Sequence, residues 1–250
     1  MLYINPTELE KFLEAHTIKE AAIYYKCHHR TIDNKIKKYS LKHTKHRGVF
    51  NHDYFKTWSS NMAYILGFIT ADGNIHNKRP YIAIELARKD ECVLEFVLSE
   101  IYPSGNILQY TRTDKRTGKT YYSSKIALYS DIMKDDLLMY SVFPNKTGKH
   151  SINFNIPTAF LGDYVRGFFD GDGCCYISQN RLCSKFSCQS TAFLNDIRYL
   201  LDFTNINVYT KSKPPELRFS HKSSLKLRNI MYETHDRFCL TRKKAIFNEL

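Results

Sequence analysis

The apolar positions of this chain switch repeatedly between a helical and a strand period, and they do so twice in the same order. An unbroken apolar run, Tyr64-Ile65-Leu66-Gly67-Phe68-Ile69, predicts a first buried helix ending near Asp72. After it, strands are predicted over 74–77 and 81–87, the second alternating Ile82, Ile84 and Leu86 across a basic turn at Lys78-Arg79-Pro80. A helix over 90–102 places Val93, Leu94, Val97, Leu98 and Ile101 on one face. Strands over 106–112 and 120–129 follow, joined by a polar basic hairpin at 113–119, and then a helix over 131–141. The second half repeats this order, with helices over 158–172, 191–203 and 222–233 and strands over 174–178, 184–190, 206–211 and 215–220. Each half therefore reads helix, two strands, helix, two strands, helix, an α+β pattern.

Residues 1–42 have a different texture and predict a small all-α module. Pro6-Thr7-Glu8-Leu9 opens a helix to about Ala15, and Thr17 with Glu20 forms a capping box before a short helix carrying Ala21, Ala22 and Ile23. After a turn at 26–28, a third helix from His29 to about Lys38 turns Ile32 and Ile36 inward. Short helix, tight turn and basic helix make a helix-turn-helix pattern. From Lys26 to Arg47 the chain has Lys or Arg at 26, 30, 35, 37, 38, 42, 45 and 47 against the single acid Asp33. Arg30, Thr31, Asn34, Lys35 and Lys38 could reach phosphates or base edges from that helix; a solvated basic face is the competing reading. Residues 43–57, including Arg47, read as a basic linker, leaving 58–150 and 151–250 as the two repeats.

Composition changes the picture in one direction. A formal net charge of +12 and a pI near 9.3 fit a partner rich in phosphate, although a merely basic protein would carry the same charge. The seven cysteines show no CxxC pair and no zinc-finger spacing, so reduced thiols in a cytoplasmic protein are expected. Cys27-His28-His29 are adjacent and cannot readily converge on one metal ion. No apolar run approaches the ~20 residues needed to span a bilayer, and no leader pattern is present, so a soluble, unexported protein with no membrane partner is expected.

The candidate chemistry lies at the ends of the two apolar runs. Gly67 and Ala71, like Gly167 and Gly171, are small residues four apart, which lets two helices pack backbone against backbone as a pseudo-twofold pair. Gly73 and Gly173 stand where a helix ends in a left-handed residue. Asp72 and Asp172, offset by 172 − 72 = 100 residues, then occupy two neighbouring last turns. There the negative ends of the helix dipoles and the other acid both disfavour a carboxylate. A divalent cation such as Mg²⁺ resolves that conflict, with water and phosphate completing its shell. A single Asp-Gly could simply end a helix; two behind matched small-residue helices point to a site.

The two segments, Tyr64-Ile65-Leu66-Gly67-Phe68-Ile69-Thr70-Ala71-Asp72-Gly73 and Tyr164-Val165-Arg166-Gly167-Phe168-Phe169-Asp170-Gly171-Asp172-Gly173, resemble the paired motifs of monomeric LAGLIDADG homing endonucleases. The resemblance covers about residues 58–250. It implies two pseudo-twofold αββαββα repeats whose saddle-shaped antiparallel sheets lie along the major groove of double-stranded DNA. Alternate strand residues would then face DNA: Tyr81, Glu85, Gln109, Arg112, Tyr121, Ser123 and Lys125 in the first half, with Arg79 in its turn. In the second half the set is Gln179, Arg181, Lys185, Lys211, Lys213 and Arg218. A slip of one residue would exchange the faces.

By the same resemblance, Asp72 and Asp172 bind the metal with backbone near Ala71 and Gly171, Mg²⁺ being expected and Mn²⁺ substituting. The family's basic residue in the loop after each sheet matches Lys146 and Lys243, at separations of 146 − 72 = 74 and 243 − 172 = 71. Gln189 matches a water-positioning residue at the end of a second strand, whereas the first half offers Ala87 or Arg88, and Thr70 stands where the second half has Asp170. The implied function is a metal-dependent double-strand break at a long asymmetric DNA site. A non-cleaving binder on the same scaffold, such as an intron maturase or a transcription regulator, is the alternative. A helix-turn-helix regulator with an unrelated C-terminal ligand domain is a third reading. Retention of both acids and both lysines favours cleavage.

Overall fold

The computed structural model describes residues 4–15, 18–41, 50–145, 148, 151–233 and 237–249, which form two compact units, Met1–Phe50 and Asn51–Leu250. In the first unit, α1 (Pro6–Ala15), α2 (Ile18–Tyr24) and α3 (His29–Tyr39) enclose Ile4, Leu9, Leu13, Ala21, Ala22 and Ile32, with Ile36 packed against them. Asn5 Oδ1 accepts from the Thr7 N–H at 3.0 Å and so caps α1, because the first amides of a helix lack partners within it. Lys26, in the left-handed region at φ 49°, turns the chain between α2 and α3, and His28 accepts from the Arg30 N–H to start α3. The expected Thr17–Glu20 capping box lies outside the described residues and side chains, as does the first part of the expected linker, at 43–49.

The second unit contains two copies of one motif. The first runs α4 (Ser60–Asp72), β1 (Gly73–Ile75), β2 (Tyr81–Ala87), α5 (Glu91–Ile101), β3 (Leu108–Thr113), β4 (Thr120–Tyr129) and α6 (Asp131–Met139). The second runs α7 (Thr158–Asp172), β5 (Gly173–Ser178), β6 (Arg181–Ser187), α8 (Thr191–Leu200), β7 (Val208–Tyr209), β8 (Glu216–Phe219), α9 (His221–Tyr232) and an unanticipated α10 (Thr241–Phe247). Each repeat holds one four-stranded antiparallel sheet, ordered β1-β2-β4-β3 and β5-β6-β8-β7. The α+β expectation is met in both halves.

Local chemistry explains several boundaries. Ser59, Ser130, Ser190 and Ser220 each accept an amide hydrogen from the first turn of the helix that follows, so α4, α6, α8 and α9 start on the same device. Hairpin β5–β6 closes through Gln179 and Asn180, both at positive φ, a two-residue turn that begins β6 at Arg181 rather than near 184. Strand β7 keeps only Val208–Tyr209 of the expected 206–211. Positions 62–70 of α4 are all buried, so this helix is wrapped on every side rather than amphipathic. No described helix is long and apolar enough to cross a membrane, and the seven cysteines are free thiols.

Candidate active site

Helices α4 and α7 meet through their glycines. A methyl group added to Gly67 would lie 2.0 Å from the Tyr164 carbonyl oxygen, and one added to Gly167 would lie 1.9 Å from the Tyr64 carbonyl oxygen. Any side chain at either position would force the helices apart. One turn on, the same construction at Gly171 would meet Ala71 Cβ at 2.4 Å and Asp72 Oδ2 at 3.1 Å, so the Asp72 carboxylate lies against the last turn of α7. Asp72 and Asp172 are both half-buried where the helices end. The crossing is reciprocal in its polar contacts too. Tyr64 donates to Asp170 Oδ2 at 2.8 Å, and Tyr164, its counterpart, reaches Thr70 Oγ1 at 3.4 Å.

Gly73 and Gly173 depart from the left-handed expectation. Both are extended, at φ −68° and φ −81°. Their lack of a side chain is required for space instead, since a Cβ would lie 2.5 Å from the carbonyl oxygen of Ile69 or Phe169. The chain passes straight from each acid into the first strand of its sheet.

Lys243 also differs from the expected loop position. It sits on α10 rather than in a loop, is only 6% exposed, and directs its ammonium into the end of α7. Nζ donates to the carbonyl oxygens of Phe169 (2.7 Å), Asp170 (2.8 Å), Gly171 (3.2 Å) and Gly173 (2.7 Å). An ammonium has three hydrogens, so these four acceptors consume its donors and none is directed at an incoming phosphate. Burial lowers its pKa, an effect opposed by the nearby Asp170 charge. Asp170 itself is 2% exposed, accepts from Tyr64 and from the Leu240 N–H (2.7 Å), and is pushed up by burial against those hydrogen bonds. Lys146, the matching residue of the first half, lies outside the described residues.

Strand register decides which predicted contacts share a surface. The pairs Tyr81↔Tyr129, Glu85↔Lys125, Tyr110↔Ser123 and Arg112↔Tyr121 place their side chains opposite the face that buries Ile82, Ile84, Ile126 and Leu128. Tyr81, Glu85, Arg112, Tyr121, Ser123 and Lys125 therefore line one open face. Gln109 does not. It pairs with the buried Ser124, and its amide donates to both Glu91 oxygens at 3.0 and 3.2 Å on the helix side. Tyr110 takes the outward place in its stead, lining a groove with Glu85, Arg112 and Lys125.

In the second sheet Arg181, Lys185 and Arg218 share the outward face, with Glu216 bonded to Lys185 (2.7 Å) and Arg218 (2.6 Å). Gln179 lies in the β5–β6 turn, Arg79 is exposed in the β1–β2 turn, and Lys211 and Lys213 are exposed between β7 and β8. Gln189 is exposed two residues past β6. Because Gly73 pairs with Ile84 and Gly173 with Phe186, Gln189 corresponds by register to Ala87. On α3, Arg30, Asn34 and Lys38 are exposed and Thr31 and Lys35 half-buried; Arg47 is outside the described residues.

The two acids are hard oxygen donors of the type Mg²⁺ takes. Among the described residues no group of three His, Cys, Asp or Glu converges, so phosphate oxygens and water would have to complete a metal shell. The Gly171 carbonyl, expected to assist, already accepts from Lys243.

Residues 159–233 match the family model of the LAGLIDADG-like domain. Among solved structures, the homing endonuclease I-WcaI bound to its DNA recognition sequence aligns over 78% of this chain and 90% of its own at 14% identity, with a TM-score of 0.55. Full-length DUF199/WhiA from Thermatoga maritima aligns over 79% of this chain and 63% of its own at 17% identity, with a TM-score of 0.48. The LAGLIDADG meganuclease I-AabMI bound to uncleaved DNA aligns over 72% and 86% at 14% identity, with a TM-score of 0.47. No curated protein sequence matches.

Proposed function

We propose that this chain, whose second repeat carries a LAGLIDADG-like domain and whose paired repeats share the fold of a homing endonuclease, makes double-strand breaks in DNA at a specific site with a divalent metal. The observation that carries this reading is the glycine-to-backbone crossing of α4 and α7, which sets Asp72 against the last turn that bears Asp172. Nothing about folding requires two carboxylates at the negative ends of two touching helices, and their mutual repulsion works against it. A metal ion bound there would activate water and offset charge on the phosphate. Asp72 and Asp172 would hold the metal, one acid serving each scissile strand, and Mg²⁺ or Mn²⁺ would suit their oxygens. The open sheet faces bind the duplex through Arg112, Lys125, Arg181, Lys185 and Arg218 against phosphates and base edges. Gln189 orients water on the second strand and Lys146 offsets phosphate charge on the first. The long, unequal surfaces fit an asymmetric target bound by one monomer.

Incubation with a randomised or genomic DNA library in Mg²⁺ tests the reading. Cut ends sharing one sequence are expected, with cleavage abolished by chelator while binding persists. Binding without cutting at any divalent metal tried would contradict it and favour the second reading, a non-cleaving DNA binder. That reading is favoured by one observation, the commitment of Lys243 to helix carbonyls.

The three-helix unit contributes affinity through the exposed Arg30, Asn34 and Lys38. Removing residues 1–45 should weaken binding and lower the salt slope by roughly 0.9 per lost phosphate contact, leaving the cleavage rate at saturation unchanged. An unchanged slope would show that this unit does not meet DNA.

A further inference from the structure

The last helix makes three contacts that no loop lysine would need. Leu240, its N-cap, donates to Asp170 at 2.7 Å. Two residues on, Arg242 grips Asp90 through Nε (2.6 Å) and a terminal guanidinium nitrogen (2.8 Å), and its neighbour Lys243 fills the end of α7. Asp90 belongs to the first repeat, in the short helical turn Arg88–Asp90 that follows β2. One helix of the second repeat therefore ties the carbonyl end of α7 to the strand end of the first repeat, across 152 residues of sequence.

We infer that α10 is a clamp that positions Asp172, with Lys243 as a positioning residue whose fixed charge organises the end of α7, and not a group that meets the phosphate. The inference rests on the nuclease reading for its functional consequence, but its physical content stands without it. A cation at a helix C-terminus interacts favourably with the negative end of the macrodipole, and here it is held in place by burial and by four carbonyl oxygens. Two of those oxygens belong to Gly171 and Gly173, the residues flanking Asp172, so the ammonium fixes the backbone on both sides of the acid. Arg242 adds a two-point hydrogen-bonded link that resists rotation of α10 away from the first repeat.

Hydrogen exchange separates positioning from direct catalysis because it needs neither DNA nor cleavage. In full-length Lys243→Met, the amides of Gly171, Asp172, Gly173 and Leu240 should exchange on the order of tenfold faster, while those of α4 and β2 stay protected. Lys243→Arg should recover part of that protection. Arg242→Gln removes a half-exposed partner and should loosen the Leu240 amide by several-fold in a folded protein, which keeps the inference open to test if Lys243→Met does not fold. On DNA, cleavage of the strand served by Asp172 should fall in Lys243→Met with its Mg²⁺ requirement raised and metal-free binding within about threefold, as loss of a group supporting a metal ligand requires. Unchanged exchange at all four amides in Lys243→Met, or at the Leu240 amide in Arg242→Gln where Lys243→Met does not fold, would overturn the clamp, whatever happens to cleavage. If exchange responds as stated but no protein cuts any DNA, the clamp stands and the nuclease reading falls.

Discussion

The two repeats of the larger unit share a frame and differ in chemistry. Both begin with a buried helix, pass through an extended glycine into a strand, and pair that glycine with the fourth residue of a seven-residue second strand or the sixth of its counterpart, Ile84 and Phe186. Laid on that register, Thr70 matches Asp170, Ala87 matches Gln189, Glu85 matches Ser187 and Lys125 matches Glu216. The frame is held by backbone contact and tolerates little change. The differing positions lie near the two acids or face outward from the sheets. The two repeats agree where the backbones of α4 and α7 meet and differ in the side chains around that crossing.

The largest expected effect tests the frame. Gly67→Ala and Gly167→Ala each place a methyl about 2 Å from a carbonyl oxygen of the other helix. Each should destabilise the unit by at least about 1–3 kcal/mol, the range for overpacking a close contact, and by similar amounts in denaturant titrations. A wide disparity between them would break the claim that the crossing is reciprocal.

The next effect tests the difference. Gln189→Ala should slow cutting of the strand served by Asp172 by about tenfold, the low end for an outer group supporting a metal site, with the other strand unaffected. Ala87→Gln, the reverse graft, should speed the first strand by less. Equal effects on both strands in strand-labelled assays would erase the distinction between the half-sites.

A smaller effect concerns Asp170. Its pKa in the folded protein is raised by burial, so its contribution to stability is present below the ordinary carboxylate range and is lost as pH rises through the raised value. Asp170→Asn cannot ionise, and its stability relative to the parent should therefore increase from acidic to neutral pH. Denaturant midpoints that differ by a constant across that window would show that the carboxyl titrates as it does in the unfolded chain.

Much of this was legible in the sequence because two periods coincide there. Small residues at Gly67 and Ala71, and again at Gly167 and Gly171, identify touching helices, and Ile82-x-Ile84-x-Leu86 identifies the buried face of β2 and with it the outward Tyr81 and Glu85. Other features leave no local pattern. All six residues of β3 are exposed, so no alternation fixes its phase, and the pattern does not reveal that Gln109 faces the helix side. Thr241-Arg242-Lys243-Lys244 reads as a polar loop, and the burial of Lys243 depends on carbonyls some seventy residues earlier that no local pattern reveals. The glycines after each acid are legible by position but not by cause. Their need is room beside Ile69 and Phe169 rather than a left-handed backbone.

The most direct measurement is strand-resolved cleavage of a supercoiled target by Asp72→Asn and Asp172→Asn in Mg²⁺. Each variant should nick one strand, the opposite one in each case, with the other slowed at least about 100-fold, the scale set by losing one electrostatic stabiliser of the transition state, while DNA binding is retained. Full double-strand cutting by both variants would contradict the assignment of the paired acids as the centre of the reaction.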